Sequence, residues 1–345
     1  CFFVSGGNSM HLLNSARQKM TCVPVVHEVS AGIAAEYFNE SHLSEGKAFV
    51  LVTAGPGLTN LVTALAGAYL ESRELLVLGG QVKSSDLATN GLRQRGIQEI
   101  DGVGLAAPVA KHSVQMKKPM PKAEFVSLVN AGSTGRPGPV FIELCLDAQG
   151  APTLKEEAVQ VEPQGNAVAS ETEIDLVVTQ VKSAQRPILL IGGGVSRKAA
   201  RALQTELTSS GIPVMTTWNA ADRVDAAHPS YLGRPNTWGQ RAANLLVAQA
   251  DLIIAVGTRL GMQQTGFNWQ QFGRNAFVVH VDIDRAELDK GHPKIDLPVC
   301  ADADDFLTRL LPKVRGDWEI WVSYAQEVRK ALPLNDPANE TGKGF

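Results

Sequence analysis

Four shortages in this sequence each remove a class of function. Cysteine is scarce: Cys1, Cys22, Cys145 and Cys300 lie far apart, and no two share a C-x-x-C spacing. Three sit in or beside apolar runs, a pattern that predicts buried reduced thiols rather than a disulfide framework or a thiolate metal site. The seven histidines show no metal-ligand spacing, so no metal ligand is predicted from this sequence. Basic charge is not in excess: the net charge is −3, which leaves no field to attract nucleic acid or an anionic membrane. Long apolar runs are missing, since none approaches the roughly 18 residues of a membrane span. The N-terminus also lacks the charged, apolar and cleavage segments of a secretory signal. The expectation is a cytoplasmic globular protein acting on small molecules, with no repeat or low-complexity tract.

What is present is an alternation. The 345 residues allow roughly two domains of about 150 residues. Short apolar runs precede small-residue helical patterns: "CFFVS", "TCVPVV", "KAFVLVT", "ELLVLGG" and "GPVFIELCL", then "RPILLIGGG", "IPVMTTW", "ADLIIAVG" and "AFVVHVDID". Strand followed by helix, repeated, predicts parallel α/β architecture, and strands apolar at nearly every position are those covered on both faces. The chain opens abruptly on a strand-like run, so a preceding segment is expected to be missing. The polar stretch "DAQGAPTLKEEAVQVEPQGNAVAS" breaks the pattern and reads as a linker. The predicted layout is a first domain at 1–155, a linker at 156–170, a second domain at 171–315 and a tail at 316–345.

Several motifs fall at strand-to-helix junctions, the edge where parallel sheets carry ligands. In "VPVVHEVSAGIAAE", Glu28 stands where an apolar strand meets a helix. Walled by Val25, Val26, Val29 and Ile33, it would be poorly solvated and its pKa would rise, which suits an acid or a proton-sharing group. An acid in a first helical turn is also favoured by the helix dipole alone, and that reading is the commoner one for a single carboxylate. In "TAGPGLTN", Gly55 and Gly57 allow close backbone approach and Pro56 fixes the turn, which could lie against a flat ring or be a plain connection. Gln81 opens a long polar loop after a strand, and Arg93 and Arg95 within it could meet anions or only solvent. "IGGG" resembles a dinucleotide turn without the full G-x-G-x-x-G spacing. Asp282, Asp284 and Arg259 stand at neighbouring strand ends, where an acid can hold a ribose hydroxyl.

In order and together, "HEVSAGIAAE", "VTAGPGLTN", "GGQV" with "IQEIDGVGLAAPVAKHS", "GRPGPVFIEL", "IGGG", "GTRLG" and "FVVHVDIDRAELDKG" resemble the thiamine diphosphate (ThDP) enzymes of the acetolactate synthase type. "GLRQRGIQEI" is similar to a subgroup associated with cell-surface and branched-sugar pathways. The resemblance implies two doubly wound parallel-sheet domains: a pyrimidine-binding (Pyr) domain and a Rossmann-like central domain. It assigns the diphosphate and Mg2+ to a third, diphosphate-binding (PP) domain, whose Gly-Asp-Gly…Asn-Asn signature is not found in this sequence. Glu28 matches the glutamate that bonds N1′ of the aminopyrimidine and so helps generate the ylide. Gln81 matches a glutamine aimed at the reacting carbon. Pro56, Gly57 and Asn60 match the turn on the pyrimidine, and Gly7 and Asn8 a turn facing the thiazolium. Asn8 departs from the usual alanine. Lys111, in "AKHS", lies near the family's "TKH".

For the central domain the resemblance implies FAD, with Arg136, Gly193, Gly194, Thr216, Arg259, Asp282, Asp284 and Glu287 at matching positions. Gly261 and Met262 replace two acids usual after the arginine. The implied reaction is decarboxylation of pyruvate or another 2-keto acid and transfer of the two-carbon unit to a carbonyl acceptor, by a homodimer or homotetramer. The small face of Ala31, Gly32 and Ala35 is expected to pack helices between subunits. Two other readings remain: a non-catalytic protein that binds a dinucleotide or a partner, and a simple 2-keto acid decarboxylase.

Overall fold

A computed structural model describes residues 1–41, 46–152 and 165–334. Residues 156–164 of the expected linker (156–170), with 153–155 before it, and the end of the expected tail, 335–345, lie outside these residues. The chain divides into two compact units, Cys1–Gly165 and Asn166–Phe345.

The first unit is built on a six-stranded parallel sheet in the order β2-β1-β3-β4-β6-β5. Its strands are β1 (Phe2–Phe3), β2 (Val23–Pro24), β3 (Phe49–Val52), β4 (Leu75–Gln81), β5 (His112–Met116) and β6 (Pro139–Cys145). The helices are α1 (Met10–Ala16), α2 (Glu28–Ser41), α3 (Pro56–Leu70), α4 (Gly102–Ala106), α5 (Lys122–Ala131) and α6 (Leu146–Gly150). All seven residues of β6 are buried, as a strand covered on both faces requires. Val140, Ile142 and Leu144 join Leu12, Phe125 and Leu128 on one face. Phe141 joins Val50, Leu61 and Leu65 on the other. Pro24 lies in an edge strand, the place in a sheet where a missing N–H is tolerated.

Helix α2 buries Glu28, Ala31, Gly32, Ala35 and Glu36, one face at helical spacing. A side chain at Gly32 would fall 2.9 Å from Leu61 Cδ1 and closer still to Ala64. The small stripe expected between subunits therefore packs α2 onto α3 within the chain. The opposite face carries Ile33 and Tyr37, both exposed. Arg73 ties the end of the pair, bonding Glu36 at 2.8 Å and lying 4.8 Å from the Tyr37 ring centroid.

The second unit repeats the plan in the order β12-β11-β10-β7-β8-β9, again parallel. Its strands are β7 (Pro187–Ile191), β8 (Val214–Thr216), β9 (Tyr231–Gly233), β10 (Leu252–Val256), β11 (Phe277–Asp282) and β12 (Leu297–Cys300). Helices α7 (Glu171–Ser183), α8 (Arg197–Ala202), α9 (Gln204–Ser210), α10 (Arg241–Gln249), α11 (Met262–Thr265), α12 (Arg285–Asp289), α13 (Ala303–Leu310) and α14 (Glu319–Ala331) complete it. The segment expected as a tail thus holds α14, which is amphipathic and docked. Trp321 Nε1 donates to the Pro187 carbonyl at 3.3 Å, and Arg329 donates to the Tyr231 carbonyl at 2.7 Å. Among the described residues no helix is long and apolar enough to cross a membrane.

Candidate functional site

Each sheet has one point where the strand order reverses. In the first, β1 runs out to β2 on one side while β3 lies on the other. In the second, β7-β8-β9 and β10-β11-β12 leave in opposite directions. Helices then cover opposite faces and a crevice opens beyond the strand ends, the usual ligand site of such sheets.

The first crevice gathers residues from α2, α3 and the loop after β4. Glu28 opens α2 and is 7% exposed. Asn60, one turn into α3, donates from Nδ2 to Glu28 Oε2 at 2.9 Å. No second hydrogen bond to the carboxylate is made among the described residues, so Oε1 stays open. The expected apolar wall is incomplete. Val26 is 99% exposed and Ile33 is exposed, because Val26 precedes the helix and Ile33 lies on its outer face. Pro56 is the first residue of α3, where its missing N–H costs nothing. Gly55 has φ +63, and a Cβ there would fall on the carbonyl oxygen of Gln98. Only glycine satisfies both conditions. Gly57 lies within α3. Gly7 and Asn8 form a single 3-10 turn, with Asn8 Nδ2 donating to the Ile97 carbonyl at 3.1 Å.

Gln81 does not reach into this crevice. It is fully buried at the end of β4. Its Nε2 donates to the Ile100 carbonyl at 3.0 Å and to Glu143 Oε1 at 3.1 Å, while Oε1 accepts from Val82 N at 2.9 Å. Glu143 also accepts from Gln115 Nε2 at 2.6 Å. Burial pushes the Glu143 carboxyl above its ordinary value, only partly offset by the two amide donors. Lys111 is likewise committed elsewhere, donating to the carbonyls of Ala131 and Thr134 at 2.7 Å each, at the end of α5.

Two residues that the motifs did not single out shape the loop. Glu99 is buried and accepts from the backbone N–H groups of Arg95 and Gly96 at 2.8 Å each, and from that of Ala88. Burial alone would raise its pKa, but the backbone donors outweigh this and hold it below the ordinary carboxylate value. Next to it, Gln98 is exposed and adopts φ +61 against Gly55. A non-glycine residue held in that region at a crevice is a mark of constrained geometry, and no pattern in the sequence announces it.

In the second crevice, Gly192 follows β7 and faces Gly257, which follows β10. A Cβ on Gly192 would strike the Gly257 carbonyl oxygen. Gly193 and Gly194 leave their backbone exposed beside it. Arg259 is exposed just past β10. Asp282 ends β11 and is buried, its Oδ1 accepting from Asp284 N at 2.9 Å. Asp284 caps α12 and Glu287 pairs with Lys290 at 2.8 Å. Thr216 does not line the crevice: its hydroxyl is buried 3.1 Å from the Tyr231 hydroxyl. Arg136 belongs to the first unit, where its Nε donates to Ser72 Oγ at 2.9 Å. Two exposed indoles, Trp218 just after β8 and Trp238 in the loop that follows β9, have ring centroids 6.2 Å apart.

The donor sets decide which groups each crevice fits. The first offers a carboxylate with one open oxygen and a backbone pared down to glycine, which fits a flat nitrogen heterocycle. The second offers a glycine turn, an arginine, carboxylates and an aromatic surface, which fit a dinucleotide. No group of three or more His, Cys, Asp or Glu side chains among the described residues could hold a metal ion.

Comparison with known proteins agrees with this division. The thiamine pyrophosphate enzyme N-terminal TPP-binding domain matches residues 1–105, and the thiamine pyrophosphate enzyme central domain matches 174–310. The chain is 34% identical over 324 residues to a probable acetolactate synthase large subunit of Methanocaldococcus jannaschii, covering 90% of this chain and 53% of that protein. It is 32% identical over 333 residues to the acetolactate synthase isozyme 1 large subunit of Escherichia coli K12, covering 94% and 57%. The chain therefore spans about half the length of these relatives, and it belongs to the thiamine pyrophosphate enzyme family, matching its N-terminal and central domains.

Proposed function

We propose that this chain provides the Pyr and central domains of a ThDP-dependent, decarboxylating carboligase of the acetolactate synthase type. The observation that carries the reading is Glu28, a buried carboxylate at a sheet's switch point, held through one oxygen by Asn60 and open at the other. ThDP, when bound, supplies a carbon nucleophile and an electron sink for loss of carbon dioxide from a 2-keto acid. Glu28 would share a proton with the aminopyrimidine through Oε1. Asn60 fixes the carboxylate's orientation, and burial keeps the proton from exchanging freely with water. The Gly55–Pro56 turn and Gly57 let the backbone approach the ring. Gly7 and Asn8 border the same crevice from the end of β1, and Gln81 acts through its bond to Glu143 by fixing the β4 end.

In the central domain, Gly193, Gly194, Arg259 and Asp282 would hold FAD, with Asp284 and Glu287 organising the β11–α12 junction. Thr216, its hydroxyl buried against Tyr231, has no part in that reading, while Arg136 keeps the FAD role that the resemblance implies. Pyruvate as donor, a carbonyl acceptor, Mg2+ held by a PP domain, a homodimeric or homotetrameric assembly and a cytoplasmic location belong to the same proposal. The test is release of carbon dioxide from labelled pyruvate by the protein that carries this chain, supplied with ThDP and Mg2+, with and without an added acceptor. A condensed product supports the carboligase. A free aldehyde points to a simple decarboxylase, and no turnover in the loaded protein points to a non-catalytic role.

A further inference from the structure

Only Cys145 is as buried as the apolar neighbours of the cysteines predict. Cys1, Cys22 and Cys300 are half-buried, and all four thiols are free. Cys1 and Cys22, distant in the chain, stand side by side in the fold. In the parallel register of β1 and β2, Phe2 pairs with Val23 and Phe3 with Pro24. The ladder runs one residue further back. Cys1 N donates to the Thr21 carbonyl at 2.8 Å, and Val23 N donates to the Cys1 carbonyl at 2.8 Å. A residue bonded to both neighbours of one position on the next parallel strand stands opposite that position, and here the position is Cys22. Paired residues of a sheet point to the same face. One strand spacing, about 4.8 Å, lies inside the Cα separation of about 4.4–6.8 Å that a disulfide spans. Each sulfur has only a long backbone contact, Cys1 Sγ to the Phe2 carbonyl at 3.9 Å and Cys22 Sγ to the Met20 carbonyl at 3.8 Å. Neither is locked against a turn about χ1.

We propose that Cys1 and Cys22 are a thiol–disulfide modification site, closed by a low-molecular-weight disulfide such as glutathione disulfide and reopened by the matching thiol. One cysteine thiolate attacks the small disulfide, forms a mixed disulfide and releases one small thiolate. The second cysteine thiolate attacks the protein-side sulfur and releases the other. Two protein thiols give up two electrons and two protons, and the small disulfide leaves as two thiols. Side chains one strand spacing apart stand wider than the Cβ separation of about 3.8 Å usual in disulfides, so the bond is strained and readily reduced. That marks a reversible bond rather than a structural one. What it holds is the weakest strand of the first sheet. β2 is an edge strand of two residues, both exposed, one of them proline. Gly7 stands six residues beyond Cys1, and Glu28 six residues beyond Cys22. The bond thus staples the starts of the two strands whose far ends lead to the first crevice. It also closes a loop around α1, which removes freedom from the unfolded chain.

The test equilibrates the protein that carries this chain in glutathione buffers of falling reduced fraction. Oxidation should remove two titratable thiols and lower the mass by two hydrogens. Trypsin cuts after Arg17 and Lys19, between the two cysteines, so the bond should appear as a linked pair of peptides that separates on reduction. The oxidised form should melt about 5 °C higher and exchange the amides of 21–25 more slowly. Cys1→Ser and Cys22→Ser should each abolish the link and the melting shift and carry one glutathione on the remaining cysteine. Cys300→Ser should keep both. Peptides of Cys1 and Cys22 that stay unlinked in the wild type across the whole glutathione range would overturn the proposal. So would a link that runs between two molecules on a non-reducing gel. An intramolecular link with unchanged exchange in 21–25 would overturn its role as a staple of β2. None of these readouts depends on turnover or a bound cofactor, so the outcome stands apart from the carboligase reading.

Discussion

The two units share a plan and differ in what they place at the same point of it. Each is a six-stranded parallel sheet with one switch-point crevice. At the first, the chain sets a buried carboxylate held by a neighbouring helix. At the second, it sets an exposed arginine and two exposed indoles. The difference extends inward. The first sheet carries a buried polar cluster of Gln81, Gln115 and Glu143. The second buries its polar groups in separate places: His280, the Thr216–Tyr231 pair, and Arg223, whose Nε donates to the Val195 carbonyl at 2.6 Å. Topology determines where a ligand can sit, and a few side chains at the strand ends determine whether the place handles protons or binds a ring.

The largest expected effect falls on the first crevice. Glu28→Gln preserves shape and the bond from Asn60 but removes the ionisable group. Turnover of the loaded protein should fall by about 10²- to 10⁴-fold, with the thermal midpoint changed little. Equal turnover in wild type and variant would end the assignment of Glu28. The same substitution should leave FAD binding by the second unit untouched, so a joint loss would break the separation of the two crevices.

Next in size are two buried titratable groups, one in each unit, that respond to acid in opposite senses. Glu143→Ala leaves the amides of Gln81 and Gln115 without their acceptor and should cost about 3 kcal/mol, read by denaturant unfolding. The raised pKa of Glu143 means that the folded protein takes up its proton before the unfolded chain does. Its contribution therefore improves as pH falls through the shifted pKa towards the ordinary carboxylate value. His280 behaves the other way. It is fully buried, its Nε2 lies 2.7 Å from the Thr258 carbonyl, and Nδ1 has no partner. Burial brings its pKa down to about 4. The unfolded chain binds that proton first, so stability is lost as pH falls from about 6.5 to about 4, by about 3 kcal/mol in all. Hydrogen exchange along β10 and β11 at pH 7 and pH 4.5 would measure the loss, and His280→Asn should flatten it.

Much of the fold was legible because the central strands are continuous apolar runs. "FVLV", "PILLI" and "LIIAV" read as strands with no help from context. The strands with no such signal are β5, β9 and β12, all at sheet edges. β5 reads His-Ser-Val-Gln-Met, β9 has three residues, and β12 contains Pro298. Edge strands are covered less completely and need not be apolar throughout. Helix α14 escaped notice because its apolar residues recur at helical spacing within a charged segment. At the sites, sequence alone located the loops, since Glu28, Gly55, Gly193 and Arg259 all stand at strand ends. It could not tell which way a side chain turns. Gln81 and Thr216 sit at the right ends and point into the interior, because each found a buried partner elsewhere in the chain, Glu143 62 residues on and Tyr231 15 residues on. Glu99 was invisible for the same reason: its partners are backbone N–H groups, which every sequence offers.

A smaller effect tests the close approach that frames the first crevice. Gly55→Ala puts a side chain at φ +63 and against the Gln98 carbonyl. It should cost about 2 kcal/mol and shift the loop that carries Gln98. Gln98→Ala should lower turnover more than it lowers stability if the strained conformation serves the site. A variant with wild-type kinetics and raised stability would show that the strain has no such use.

The smallest effect serves as the control on unit independence. Ser170 caps α7, with its Oγ accepting from Glu173 N at 3.2 Å while Glu173 Oε2 accepts from Ser170 N at 2.7 Å. Ser170→Ala removes half of this reciprocal pair and should cost about 1 kcal/mol. Because α7 packs into the second unit's core, through Ile174, Val177 and Val181, the loss should appear as faster exchange in α7 and β7 and not in α2 or α3. Equal acceleration in both units would mean that they unfold as one cooperative body, and the two crevices could then no longer be perturbed one at a time.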